Sequence, residues 1–166
     1  MRTPEPLLTF VRASFPAQPA PAQFFWTELE EPPCDDIPEE LLKRIAGRQW
    51  TDVTIRDWAM VGTPPVVSRR YLQPSTFLYY LPSLVVGVIE DTEYIEFALE
   101  GMIPHNKTHA PGGAWWTSFS NTVSTEQRRT LLLYLRHVQD VLWNDIGEAN
   151  QYYVWIAENI WSSEKV

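Results

Sequence analysis

The sequence QPSTFLYYLPSLVVGVIED, residues 73–91, shows the helical periodicity of this chain most clearly. Its apolar residues recur at steps of four, three and four, which places them on one face of a helix. These residues are Phe77, Leu81, Leu84 and Val88. Pro74 suits the first turn of that helix, whereas Pro82 lies in its middle and predicts a kink because proline has no N–H to donate. We therefore predict a long helix that faces the core.

Helical patterns also occur on both sides of this segment. Asp36 with Glu39, and Ser124 with Gln127, have the spacing of capping boxes, which mark helix starts. The further predicted helices cover LLTFVRASF (7–15) and the segments 37–46, 92–102, 124–142 and 148–161. The segment 51–61 fits a short helix, although its β-branched residues leave a strand open. No stretch alternates over enough residues to require a sheet, so we predict an all-α bundle of about six helices.

The apolar residues of three of these helices predict which of their faces are buried. The predicted buried residues are Ile95, Leu99 and Met102 in 92–102; Leu131, Leu135, Val138 and Leu142 in 124–142; and Ala149, Tyr153, Ile156 and Ile160 in the last helix. Of the adjacent pair Tyr79 and Tyr80, we expect one ring to be buried and the other to have its hydroxyl at the surface.

Residues 1–166 are predicted to form a single helical domain, with a Pro-rich, acidic connector at 16–36 that runs as an extended arm near the N-terminus. Seven acidic residues lie between positions 28 and 40. They fit a solvated loop followed by an acidic helix start, and they also fit a surface that meets a basic partner. The candidate partner-binding residues of this segment are Glu28, Glu30, Glu31, Asp35 and Asp36.

The net charge of −8 separates classes of partner. A chain with 21 acidic and 13 basic residues is a poor nucleic-acid binder, because phosphates require basic counter-charge. Its acidity favours a basic protein partner, or simply solubility. The longest apolar run is too short for a membrane span and no signal peptide is evident, so we expect no membrane contact and a cytoplasmic location. Cys34 is the only cysteine, which excludes an internal disulfide.

The sequence MIPHNKTHAPGGAWW, residues 102–116, resembles a metal site at first inspection. On a helix, His105 and His109 would share a face and could hold zinc. However, the prolines and glycines around them disfavour a helix, and Asn106 occupies the position where a zincin has its glutamate. We therefore predict a surface connection between two helices, with no metal and no cofactor. An enzyme, metal-dependent or not, that uses the His105–His109 loop stays as the alternative.

The adjacent tryptophans Trp115 and Trp116 point about 100° apart if they lie on a helix. We expect one ring to anchor the core and the other to lie over a neighbouring helix. Alternatively, one is an exposed anchor for a partner, since tryptophan is enriched in binding hot spots. His105, Trp115 and Trp116 complete the candidate partner-binding residues. No spacing typical of a catalytic triad or of a phosphate-binding loop occurs, so no catalytic residues are predicted.

Two blocks of the chain resemble an uncharacterised bacterial all-α domain family. Residues 72–90, LQPSTFLYYLPSLVVGVIE, are similar to its LSPEAFRYYLPA block, and VSTEQRRTLLLYLRHV (123–138) is similar to its later LTPEQ helix start. The matching positions include Pro74, Phe77, Tyr79, Tyr80, Leu81, Pro82, Glu126 and Gln127. Ser75, Leu78 and Ser83 depart from the pattern. The resemblance implies helix starts and packed rings, with no assigned chemistry.

In size and charge the chain also resembles the immunity proteins that protect bacteria from their own toxins. Together with the acidic cluster and the many aromatic residues, this likeness predicts a non-enzymatic, cytoplasmic immunity protein. Its partner would be a basic bacterial toxin or effector, which it binds and blocks. A regulatory binding protein with a different partner is the other non-enzymatic alternative.

Overall fold

The structure, a computed structural model, describes residues 4–29, 36–104 and 113–163. Within these ranges it contains nine α-helices and no β-strand, and the buried side chains form one core. The helices are α1 (Glu5–Ser14), α2 (Ile37–Arg44), α3 (Ile55–Ala59), α4 (Pro65–Ser68), α5 (Pro74–Glu90), α6 (Ile95–Gly101), α7 (Ala114–Thr122), α8 (Thr125–His137) and α9 (Gly147–Ser162). The predicted all-α, single-domain bundle is confirmed. The helices exceed six because α3, α4 and α7 are too short to show a full apolar period.

Helix α5 lies at the centre of the core and contacts α3, α6 and α7. Its predicted apolar face is fully buried, and so is Pro82, which lies inside the helix. Gly87 permits the close approach of α3, because a Cβ at that position would lie 2.9 Å from the Cβ of Ile55. Leu78 and Ile89, which lie outside that face, are buried as well, so the core surrounds α5 on more than one side.

The connection from α1 to α2 runs as an extended arm across the core, as predicted for its described part. Its backbone pairs with the residues before α5: Trp26 N–H donates to the Tyr71 carbonyl at 2.9 Å, and Gln73 N–H donates to the Phe24 carbonyl at 3.0 Å. The Tyr79 hydroxyl donates to the Ala17 carbonyl at 2.6 Å. Tyr80 is buried, as expected for one ring of the pair, but the Tyr79 hydroxyl holds the arm and does not project from the surface.

Capping boxes begin two helices, although only one of them was predicted. At α8 the Ser124 hydroxyl accepts from Gln127 N–H at 3.1 Å, and the Gln127 side chain accepts from Ser124 N–H at 3.0 Å. At α3 an equivalent box joins Thr54 and Asp57, which identifies 55–59 as helix and removes the strand alternative. The predicted box at Asp36 is wrong. That residue precedes α2 without a side-chain cap, because its ψ of 2° is not the extended conformation of a capping residue.

Replacing Ser124 by Ala is expected to lower the free energy of unfolding by about 1 kcal/mol, because the Gln127 N–H at the start of α8 loses its acceptor, the Ser124 hydroxyl. Chemical denaturation of the two proteins measures this difference. Ser120→Ala is the matched control, since the Ser120 hydroxyl bonds only within α7 and does not begin a helix. Equal effects of the two substitutions would contradict the capping role.

Helices α8 and α9 pack together, but the predicted register of α9 is wrong by one residue. The predicted apolar face of the 124–142 segment is buried, as expected. The helix continues beyond α8 through one π-helical turn at Val138–Leu142. In α9 the buried residues are Asn150, Val154, Ala157 and Trp161. The burial of the Trp161 ring determines this rotation, because its indole N–H donates to the Met102 carbonyl at 2.9 Å. Ala149 is consequently exposed, while Tyr153, Ile156 and Ile160 are half-buried.

Candidate functional site

The predicted partner-binding residues are only partly within the described ranges. Glu28 is exposed in a turn of the arm, and Asp36 is exposed just before α2. Glu30, Glu31, Asp35 and His105 lie outside the described residues, as does His109. The acidic surface at 28–36 and the surface loop with its alternative metal site therefore stay predictions.

Trp115 and Trp116 divide between two environments. Trp116 is 4% exposed, with its ring centroid 5.3 Å from Phe119 and 6.0 Å from Trp161. Trp115 is half-buried and stacked on Phe119, and its indole N–H donates to the Leu72 carbonyl at 2.9 Å. Both rings therefore have structural contacts, and partner binding by this pair stays a prediction.

A buried arginine, which the sequence analysis did not identify, lies beside these two rings. Arg69 is 3% exposed and donates to the carbonyls that end α6, at 2.9 Å to Gly101 and 2.8 Å to Ile103. Its guanidinium carbon lies 4.9 Å from the Trp115 ring centroid. Burial lowers the pKa of Arg69 to about 9, and Glu100 opposes this shift. The side chain thus stays cationic at neutral pH and closes the end of α6.

An open groove of about 820 Å³ runs between α8 and α9 on the outer face of the bundle. It is lined by Arg129, Leu132, Leu133, Arg136, Trp155, Glu158, Asn159 and Ser162, all from these two helices. Trp155 is 57% exposed, although tryptophan is among the most costly side chains to leave in water. Tyr152, one helical turn earlier, is 48% exposed. We call this surface the α8–α9 groove.

Contacts at each end of the α8–α9 groove hold the two helices in place. At one end, Arg128 donates to the carbonyl oxygens of Trp161 at 3.1 Å and Ser163 at 2.9 Å, which closes the C-terminus of α9. Towards the other end, the Gln139 amide donates to the Glu158 carboxylate at 3.0 Å. These hydrogen bonds connect the two helices that form the groove.

The α8–α9 groove has a positive character, in contrast to the net charge of the chain. Arg129 and Arg136 are exposed, and neither forms an ion pair or hydrogen bond with any residue in the described ranges. The lining also holds one carboxylate, Glu158, which accepts a hydrogen bond from the neutral Gln139 amide and keeps its charge, so two arginines and one glutamate give the lining a net charge of +1. Two arginine guanidinium groups are therefore available to a ligand at this surface.

The sequence pattern did not predict the groove, because a groove between two helices depends on how those helices pack. In the observed register Tyr152 and Trp155 fall on the outward face, beside the exposed Asn159 and Ser162. Two large aromatic residues on an otherwise polar helical face were the feature that could have identified it.

A smaller cavity of about 420 Å³ lies between the start of α3 and the end of α5. Its charged lining residues are Arg56, Glu90 and Asp91, and its aromatic residue, Trp50, belongs to the core. It offers no exposed aromatic ring to a partner. The α8–α9 groove is consequently the better candidate for binding a protein.

His137 is the one histidine within the described ranges, and its Nε2 atom is buried without a hydrogen-bond partner. Burial lowers the pKa of His137, and Asp140 opposes this shift. The neutral imidazole is therefore the form that suits the folded state.

Acidification is expected to destabilise the protein through His137 as the pH falls below the ordinary histidine value of 6.5. The folded-state pKa is lower than the unfolded one, so the unfolded chain binds the proton first and stability rises with pH across this window. His137→Gln should reduce the loss of unfolding free energy between about pH 7.5 and pH 5.5. Urea denaturation at the two pH values tests this, and an unchanged loss would contradict it.

The described residues contain no group of three histidine, cysteine or carboxylate side chains that could hold a metal ion. Across the same ranges, no helix combines the length and apolar character needed to cross a membrane. Comparison of the chain with known protein families, with characterised proteins and with solved structures finds no match.

Proposed function

We propose that this chain is a non-enzymatic protein-binding module that uses the α8–α9 groove. The exposed Trp155 is the observation that carries the proposal. Tryptophan and arginine are enriched among the residues that dominate protein–protein binding energy. Here Trp155 lies in one lining with Arg129 and Arg136, around half-buried leucines. A partner that covered these residues would remove apolar surface from water and supply counter-charge for both arginines.

More narrowly, we propose that the partner is a bacterial toxin and that the chain is its cytoplasmic immunity protein. The support for this is the net charge of −8, which would attract a basic toxin over a distance and speed the encounter. A second acidic stretch adds to the predicted cluster at 28–40: residues 90–100 contain five acidic residues and no lysine or arginine. The acidic surface would then guide association, and the aromatic residues of the groove would slow dissociation.

Co-expression with a candidate toxin encoded beside this chain tests the narrower proposal. We expect the chain to restore growth of cells that produce the toxin, and to purify with it as a stable complex. An unrelated toxin provides the control, because rescue from it would indicate a general effect on expression. Failure of both rescue and complex formation would remove the immunity function. If another protein is recovered in its place, the regulatory alternative gains support.

A further inference from the structure

We infer that the α8–α9 groove binds an acidic, amphipathic helix of the partner. This inference rests on the proposed function, and it names the chemistry of the segment that occupies the groove. In the groove, positive arginines of this chain would meet negative residues of the partner. The long-range attraction is the reverse, because the net negative charge of the whole chain attracts a basic partner.

The spacing of the α8 side chains carries the inference. Arg129 and Arg136 are seven residues apart, which is two helical turns or about 10.5 Å along the axis. Leu132 and Leu133 lie between them, half-buried. An amphipathic helix with two carboxylates seven residues apart and aliphatic side chains between them would match both the charges and the apolar surface. Trp155 on α9 would form the other wall.

The charges of the neighbouring residues strengthen this assignment. Arg128 is occupied with the carbonyls at the end of α9, so it contributes little to a ligand. Within the described ranges Glu158 forms no ion pair with either exposed arginine, and its carboxylate accepts a hydrogen bond from the Gln139 amide. Among the described residues Arg129 and Arg136 form no ion pair, so both guanidinium groups can bind carboxylates, with which arginine forms its strongest hydrogen bonds.

Two other occupants fit less well. A second copy of this chain also carries a net charge of −8, and the repulsion between two such molecules opposes self-association. Single-stranded nucleic acid could stack on Trp155, but the phosphates would meet only two available arginines on a protein of strong negative charge. Binding of a single-stranded oligonucleotide and formation of a dimer are both measured in the test.

The test uses two designed helical peptides of about 16 residues. One carries glutamates seven residues apart with leucines between them, and the other has lysines at the same positions. Binding to the whole protein is measured by fluorescence anisotropy at about 0.05 M salt, where screening is weak. We expect the glutamate peptide to bind at least about tenfold more tightly than the lysine peptide. Arg129→Glu combined with Arg136→Glu should abolish or reverse this preference.

Arg12→Glu combined with Arg56→Glu is the matched control, because both residues are exposed, lie outside the groove and produce the same change in net charge. Equal binding of the two peptides, no binding of the glutamate peptide, or equal losses in both double variants would overturn the inference. Tighter binding of a single-stranded oligonucleotide would overturn it as well. So would a dimer in sedimentation that the groove variant abolishes. If Trp155→Ala weakens the partner complex but the arginine reversals do not, the proposed function stands and only the acidic helix is wrong.

Discussion

Replacing Arg69 by Met is expected to lower the free energy of unfolding by about 3–5 kcal/mol, a large fraction of the stability of a domain of this size. The guanidinium donates to three carbonyl oxygens at the end of α6. Methionine fills part of the same volume but supplies no donor, and each buried group left without a partner costs about 1–3 kcal/mol. The loss of the contact with the Trp115 ring adds to this cost.

Urea denaturation measures the effect, with Arg70→Met as the control. Arg70 is the adjacent residue, but it is exposed and donates a hydrogen bond to the Tyr71 hydroxyl, so its replacement should cost about 1 kcal/mol. A loss below that level for Arg69→Met would contradict the role assigned to the buried guanidinium. The loss of unfolding free energy for Arg69→Lys should fall between the losses for Arg69→Met and Arg70→Met. An ammonium group keeps the charge but lacks the planar guanidinium that reaches several carbonyls.

Trp116→Ala is expected to cost about 3–5 kcal/mol, because its ring is buried against Phe119 and Trp161 and its removal leaves a cavity. Trp115→Ala should cost less, since that ring is half-buried and forms one hydrogen bond, to the Leu72 carbonyl. The two variants differ by one position in the sequence, so they control for each other. Equal and small losses in thermal or urea denaturation would show that neither ring anchors the core.

The periodic parts of the fold were predictable from the sequence. Phe77, Leu81, Leu84 and Val88 of α5 have helical spacing, and all four are buried as that spacing predicts. Ser124 and Gln127 form a local hydrogen-bond pair that depends only on neighbouring residues. Such features are determined within one helix, so they can be recognised without knowledge of the tertiary structure.

The features that the sequence did not predict depend on contacts between distant segments. The rotation of α9 follows from the hydrogen bond between Trp161 and the Met102 carbonyl, 59 residues away. The burial of Arg69 follows from the position of the α6 C-terminus. The α8–α9 groove depends on how α8 and α9 pack, because its lining comes from both helices. The periodicity of one segment does not show which residues of two helices share a groove.

In the part of the chain that the structure describes, arginine closes a helix end at two places. Arg69 binds the last carbonyls of α6, and Arg128 binds those of α9. Each guanidinium also lies over a tryptophan ring, at 4.9 Å from Trp115 and 5.3 Å from Trp161. The positive charge suits the negative end of the helix dipole. At Arg69 this arrangement stabilises the core. At Arg128 it stabilises one end of the α8–α9 groove.

The affinity of the Trp155→Ala variant for the partner protein tests the central claim most directly. We expect binding measured by calorimetry to weaken by about 2 kcal/mol, or about 30-fold. The free energy of unfolding should fall by no more than about 1.5 kcal/mol, because the Trp155 ring contacts the Trp143 ring with centroids 6.1 Å apart. Met60→Ala is the control, because Met60 is 59% exposed but does not line the groove. The Met60→Ala variant should bind the partner with the same affinity as the unsubstituted protein. Unchanged affinity of Trp155→Ala, or equal losses in both variants, would contradict the assignment of the α8–α9 groove as the binding surface.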